Sequence, residues 1–182
     1  MRNMTTTETP DAPPTRTSRI RSLLAGRAPA PAAPRVVGIA TATSVAALLV
    51  LAAGMVALDV PLLIPPLAAS MALVAGAPHL PLAQPRSVVG GQLLSALTGF
   101  AVLLVAAPGP WAAAVAGGLA LGAMALARVP HSPAAATALI VALEAPPFWS
   151  FLGLLSVAAV VLVLVGLAGN RASGRSYPVY WW

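Results

Sequence analysis

The sequence contains no cysteine and no lysine, and only 8% of its 182 residues are charged. The missing cysteine excludes disulfides, thiolate metal sites and cysteine nucleophiles. The shortage of charge excludes more, because a soluble domain carries about 25% charged residues and a water-facing surface cannot be built from what is here. Histidine is limited to His79 and His131, and there are four acids. These give no recognisable zinc spacing, and neither a Ser-His-acid spacing nor a Gly-rich phosphate loop stands out. Neither an enzyme nor a cofactor or metal is expected.

What remains is apolar, at 59% hydrophobic residues. Between Val36 and Asn170 the formal charges are only Asp59, Arg86, Arg128 and Glu144. Six arginines (Arg2, Arg16, Arg19, Arg21, Arg27 and Arg35) precede the first long apolar run, and Arg171 and Arg175 follow the last. A net charge of +6 raises nucleic acid as a partner, but no basic-aromatic stripe accompanies it. Arginines that flank apolar spans hold the cytoplasmic ends in place, so the expected partner is the lipid bilayer and not nucleic acid.

The chain divides into an arm, a membrane domain and a tail. Residues 1–35, rich in Thr, Pro, Ala and Arg, cannot bury enough surface to offset ordering entropy and are expected to be a disordered cytoplasmic arm. The arm lacks the h-region and cleavage site of a signal peptide. Residues 36–170 form a transmembrane domain, and residues 171–182 a cytoplasmic tail. The fold class is all-α, a polytopic membrane helical bundle with four long spans and two short or broken half-helix segments. The long segments are Val36–Leu58, Val88–Ala107, Trp111–Ala127 and Phe148–Ala168; about 20 helical residues cross a hydrocarbon core of about 30 Å. The short ones are Leu62–Ala77, read as interrupted by Pro65-Pro66, and Ala134–Leu143. Non-helical backbone at membrane depth is tolerated only where protein buries it or a wet cavity receives it, which directs attention to these two.

With six crossings and the Arg-rich arm inside, Arg86, Arg128, Arg171 and Arg175 all face the cytoplasm, while Asp59 and Glu144 face outward, as the positive-inside rule prefers. A four-span arrangement with two re-entrant pieces also keeps both termini cytoplasmic but leaves Arg86 outside. Either way the chain is a multi-pass protein of the inner or plasma membrane. The aromatic residues that begin spans or close the chain, Trp111, Phe148, Trp149, Tyr177, Tyr180, Trp181 and Trp182, need no more than interfacial anchoring.

Both histidines stand in one tetrapeptide pattern, Pro78-His-Leu-Pro81 and Pro130-His-Ser-Pro133, each with an arginine nearby. Proline fixes φ and holds a loop in one shape, so two stiffened loops are expected to meet near one membrane face. The helices that follow present free N–H groups and the positive end of the dipole, a site for a small anion beside Arg and His. Gly90 and Gly91 would let a ligand approach the backbone, and Gln84, Ser132 and Thr137 would supply neutral hydrogen bonds. The plainer reading makes the arginines topology anchors and the histidines loop caps. Gly118-x-x-x-Gly122 fits close helix packing within or between subunits. So few helices seldom enclose a pathway alone, which admits a homo-oligomer.

Several stretches together resemble the HPP family of integral membrane proteins: Pro66-Leu-Ala-Ala-Ser70, Gly76-Ala-Pro-His-Leu-Pro-Leu-Ala-Gln-Pro-Arg86, Val88-Val-Gly-Gly91, Pro130-His-Ser-Pro-Ala-Ala-Ala-Thr-Ala138 and the ending Tyr177-Pro-Val-Tyr-Trp181. The family's His-Pro-Pro-Ala-Gly-Ala-Thr-like stretch reads His131-Ser132-Pro133-Ala134-Ala135-Ala136-Thr137 here, with Ser132 in place of a proline and Ala135 in place of the glycine. The resemblance implies a transporter for a small inorganic anion, with nitrite as the named candidate. Under that reading the contacts are His79, Arg86, His131 and Thr137, with Gln84 and Ser132 behind them. The competing expectation is a non-transporting membrane scaffold or sensor subunit whose loops bind a partner.

Overall fold

Prolines mark where the helices begin. The computed structural model describes residue 17 and residues 32–61 and 63–182, and residues 33–182 form one compact unit. The arm expected over residues 1–35 therefore lies outside the described residues, apart from Thr17 and positions 32–35. Six helices follow in the described unit: α1 (Pro34–Leu58), α2 (Pro65–Gly76), α3 (Pro85–Leu103), α4 (Pro110–Leu126), α5 (Ala135–Glu144) and α6 (Phe148–Ala172). Short 3-10 turns at Pro81–Ala83 and Ser132–Ala134 precede α3 and α5. The described residues contain helices and no strand. The first four helices carry Pro at N1 or N2, where the missing N–H has no intrahelical partner to lose and the fixed φ suits the helix. This corrects the expectation for Pro65-Pro66. The pair opens α2 and does not interrupt it.

Four helices end at a left-handed residue; α5 does so at Ala145 (φ 46), before Pro146, which has no N–H to donate back. Asp59 (φ 51), Arg128 (φ 57) and Gly174 (φ 71) lie in the left-handed region. The next residues donate back, Val60 N–H to the Met55 carbonyl at 3.2 Å, Val129 to Met124 at 2.9 Å and Arg175 to Asn170 at 2.9 Å. Each bond satisfies a carbonyl that the helix end leaves open.

α1, α3 and α6 are long and apolar enough to cross a membrane, while α2, α4 and α5 are shorter apolar helices. α4, expected among the long spans, has 17 residues and reaches about 25 Å. The helices alternate in direction. Asn170 near the end of α6 donates to the Val74 carbonyl near the end of α2 at 3.1 Å, and the Gly109 N–H donates to the Ala142 carbonyl at 3.1 Å at the opposite end. Arg86, Arg128, Arg171 and Arg175 thus share one end of the bundle, and Asp59 and Glu144 share the other. That is the charge arrangement read from the sequence for six crossings.

α3, α4 and α5 pack closely together. α6 joins α3 to α2, and α1 lies outermost on α6 and α2. Of α1's residues only Thr43, Ala47 and Leu51 are buried, one stripe at a spacing of four. Small residues let the backbones approach. A Cβ on Gly99 of α3 would stand 2.8 Å from the Val141 Cβ and 2.9 Å from the Ala138 carbonyl of α5. Gly169 of α6 similarly receives Thr43. Gly118 and Gly122 have open space around them, so their face of α4 serves no contact within the described unit. Large apolar side chains such as Leu104, Val105, Leu126 and Trp111 stand exposed, the exterior that a lipid-facing bundle requires.

The tail folds back on the Arg-rich end. The Arg175 guanidinium donates to the Ala75 carbonyl at 2.7 Å, the Tyr177 hydroxyl to the Ala83 carbonyl at 3.0 Å, and the Val179 N–H to Gln84 Oε1 at 2.8 Å. Interfacial anchoring does not account for Tyr177. The ring is buried because its hydroxyl meets a loop carbonyl, and burial pushes the phenol well above its ordinary pKa.

Candidate functional site

The α4–α5 connection does not stay at the membrane surface. Ser95 of α3 donates to the Ala134 carbonyl, and it lies ten residues beyond Pro85, the start of a 19-residue helix. At 1.5 Å per residue this is about 15 Å along a helix of about 28 Å. α5 therefore begins near half depth, as a half-helix whose N-terminal dipole end points into the bundle. The connecting chain climbs from Ala127 to Ala134 against α3, and Gly91 makes room for it. A Cβ there would meet the His131 Cβ at 2.6 Å, the Val129 carbonyl at 3.1 Å and Met124 Sδ at 3.3 Å.

This path carries His131 into the interior, where its side chain is 1% exposed. Nδ1 lies 2.7 Å from the Leu82 carbonyl, which can only accept, so Nδ1 carries the hydrogen. Nε2 lies 2.8 Å from the Ser70 hydroxyl of α2. Gln92 Nε2 of α3 donates to the same Ser70 oxygen at 2.9 Å, and Gln92 Oε1 accepts the Thr137 hydroxyl of α5. Ser70, Gln92, Ser95 and Thr137 are fully buried. The result is one connected polar cluster, drawn from α2, α3, α5 and the 78–84 loop, in an otherwise apolar bundle. Low dielectric makes such a network strong when satisfied and costly when broken.

The expected residues divide into two groups. His131 and Thr137 belong to the cluster, and Gly91 seats it. Gly90 packs against the Val129 side chain. The two proline loops do meet, through His131 on Leu82 and through Arg86, whose Nη2 donates to the Ala127 carbonyl at 3.3 Å. The meeting does not bring the histidines together, because His79 stays exposed on its loop. Arg86 lies at the rim, with its guanidinium carbon 5.3 Å from the Trp182 ring centroid, a cation–π distance. Gln84 is fully buried and ties its own loop to the tail. It donates to the Pro78 and Leu80 carbonyls at 2.8 and 3.0 Å while holding Val179. Ser132 is exposed at the start of its 3-10 turn.

Ser70, Gln92 and Ser95 were not among the expected site residues. One signal for part of the set lies in α3, where Ser87, Gly91, Ser95 and Gly99 recur every four residues and all are buried. Small and polar residues at that spacing mark the inward face of a membrane helix, and Gln92 sits beside the stripe.

A family model described as "HPP, transmembrane region" matches residues 29–178. Two transmembrane proteins of Dictyostelium discoideum are similar, 36% and 37% identical over 124 residues, or 63% of this chain. The aligned part is 44% of the first and 40% of the second, so the chain spans less than half the length of the curated relatives it matches. No solved structure gives a significant match.

Proposed function

The chain belongs to the HPP family of transmembrane proteins, and from that premise we propose that it carries a small inorganic anion, nitrite being the candidate, across the inner or plasma membrane. The Arg-rich end of the bundle faces the cytoplasm in this reading, as the positive-inside rule prefers. The role is transport and not catalysis.

The observation that carries the reading is the buried cluster of Ser70, Gln92, His131 and Thr137 beside a half-helix that begins at mid-depth. Polar groups inside a membrane domain are expensive and mark substrate paths. An anion that leaves water loses its hydration and needs donors in return. The Thr137 and Ser70 hydroxyls, the Gln92 amide and the N-terminal dipole of α5 supply them without a fixed positive charge, which favours release as well as binding. In the described state these groups bond one another and the site is closed, so the anion replaces internal hydrogen bonds as it binds. Arg86, at the rim, draws anions toward the path and does not bind them inside it.

The test is uptake into proteoliposomes of the purified chain, with nitrite, nitrate and chloride offered separately. Saturable nitrite uptake above that of empty vesicles is expected. Uptake equal to empty vesicles for every anion across several pH values would refute transport and favour the scaffold reading.

A further inference from the structure

The Ser70 hydroxyl has two acceptors to choose between, so the Ser70–His131 pair can hold its hydrogens in either of two arrangements. Ser70 has a single hydroxyl hydrogen, yet two acceptors lie at bonding distance, the Pro66 carbonyl at 2.8 Å and His131 Nε2 at 2.8 Å. Gln92 Nε2 donates to the same oxygen in either arrangement. Nδ1 of His131 already holds its hydrogen on the Leu82 carbonyl. With a neutral imidazole, Ser70 turns its hydrogen to Nε2 and leaves the Pro66 carbonyl to its helical backbone partner. With one added proton on Nε2, the imidazolium donates to Ser70, which turns its own hydrogen to Pro66 as a second bond on that carbonyl. The two states differ by the rotation of one hydroxyl, and no heavy atom has to move.

We propose that His131 Nε2 is the binding site for a proton that travels with the anion. This rests on the transport reading above and adds the coupled ion. The groups shown against His131 are uncharged: Ser70 from α2, Leu82 from the 78–84 loop and Gly91 from α3, with Gln92 of α3 reached through Ser70 and Thr137 of α5 through Gln92. Arg86 is held on Ala127 at the rim, Arg128 and His79 are exposed, and Asp59 and Glu144 lie at the opposite end of the bundle. A lone imidazolium in this setting has no counter-ion and is disfavoured. A lone anion is disfavoured for the same reason. Together they form a neutral pair, so each promotes the binding of the other, and by linkage the promotion is mutual. The balance is simple: one proton and one anion enter from one side, the Nε2 lone pair takes the proton, and both leave on the other side as Nε2 gives up that proton and the intact Ser70 hydroxyl swings back to donate to its lone pair.

The experiment uses full-length protein in liposomes that hold a lumenal pH dye, with nitrite as the probe. Uptake and lumenal acidification are read together while potassium and valinomycin set the membrane potential, and empty-vesicle values are subtracted. One proton entering per nitrite is expected, with a rate unmoved by potential and rising about tenfold per unit fall in outside pH while the site is mostly unprotonated. Protein-dependent uptake that follows the potential without acidifying the lumen would overturn coupling and leave transport standing. No protein-dependent uptake would overturn both. The wild-type measurement decides coupling even if no variant folds. Where His131→Gln folds, loss of the pH dependence is expected, and retained one-to-one coupling would remove the proton from His131.

Discussion

Replacing Gly91 by alanine perturbs the site through a single methyl group. The new Cβ would lie 2.6 Å from the His131 Cβ, whereas carbon atoms rest at about 3.5–4.0 Å, so the chain around His131 must retreat by about 1 Å. The His131 hydrogen bonds are 2.7 Å to Leu82 and 2.8 Å to Ser70. A retreat of that size along either one takes it beyond bonding range. Overpacking costs about 1–3 kcal/mol, and one buried polar group left unsatisfied costs about 1–3 kcal/mol more; the expected loss is on the order of 3 kcal/mol. Gly118→Ala is the matched control, since nothing lies within 4 Å of its added Cβ. An alanine in an open helix interior should instead gain about 0.5–1 kcal/mol. Thermal unfolding in detergent, followed by tryptophan fluorescence, should therefore move in opposite directions for the two variants, and nitrite uptake should fall only for Gly91→Ala. If Gly91→Ala melts with the wild type and transports normally, the seating of His131 against α3 is wrong.

Other perturbations separate the cluster from its surroundings. Gln92→Leu strips the amide from Ser70 and Thr137; a loss of about 1–3 kcal/mol with uptake near that of empty vesicles is expected from melting and flux. Arg86→Gln should weaken the hold on Ala127 and Trp182, raising the half-saturation concentration for nitrite while leaving the maximal rate within about twofold; RT ln 2 is only about 0.4 kcal/mol. Tyr177→Phe leaves the Ala83 carbonyl without its donor, and a loss of about 1 kcal/mol should appear as faster proteolysis of the tail. Ala145→Gly, at φ 46, relieves a left-handed alanine and should raise stability by about 1 kcal/mol, as measured by melting.

The membrane bundle was legible because apolar length and charge placement are strong signals. Arg86, Arg128, Asp59 and Glu144 mark alternate ends of the helices, and the Pro-His-x-Pro loops marked a meeting that His131 and Arg86 do make. Less of the interior was legible. In lipid both faces of a helix are apolar, so hydropathy alone does not say which side of α3 is buried; the trace of that side is the four-residue stripe of Ser87, Gly91, Ser95 and Gly99, with Gln92 beside it. Two local rules also misled. A proline pair reads as a break, yet at N1 and N2 Pro65-Pro66 starts a helix. Tyr177 carries a polar atom that suits an interface, but it found a partner inside the chain. Long-range hydrogen bonds such as Tyr177 to Ala83 leave no periodic trace in a sequence.

The proposed anion path runs through the buried cluster of Ser70, Gln92, His131 and Thr137. Its most direct test is nitrite flux in proteoliposomes for wild type and Thr137→Val, in preparations matched for folding by melting and gel filtration. The valine keeps the shape and removes the hydroxyl that Gln92 accepts. Saturable flux in the wild type, reduced at least tenfold in the variant, is expected. Equal flux in the two would contradict it.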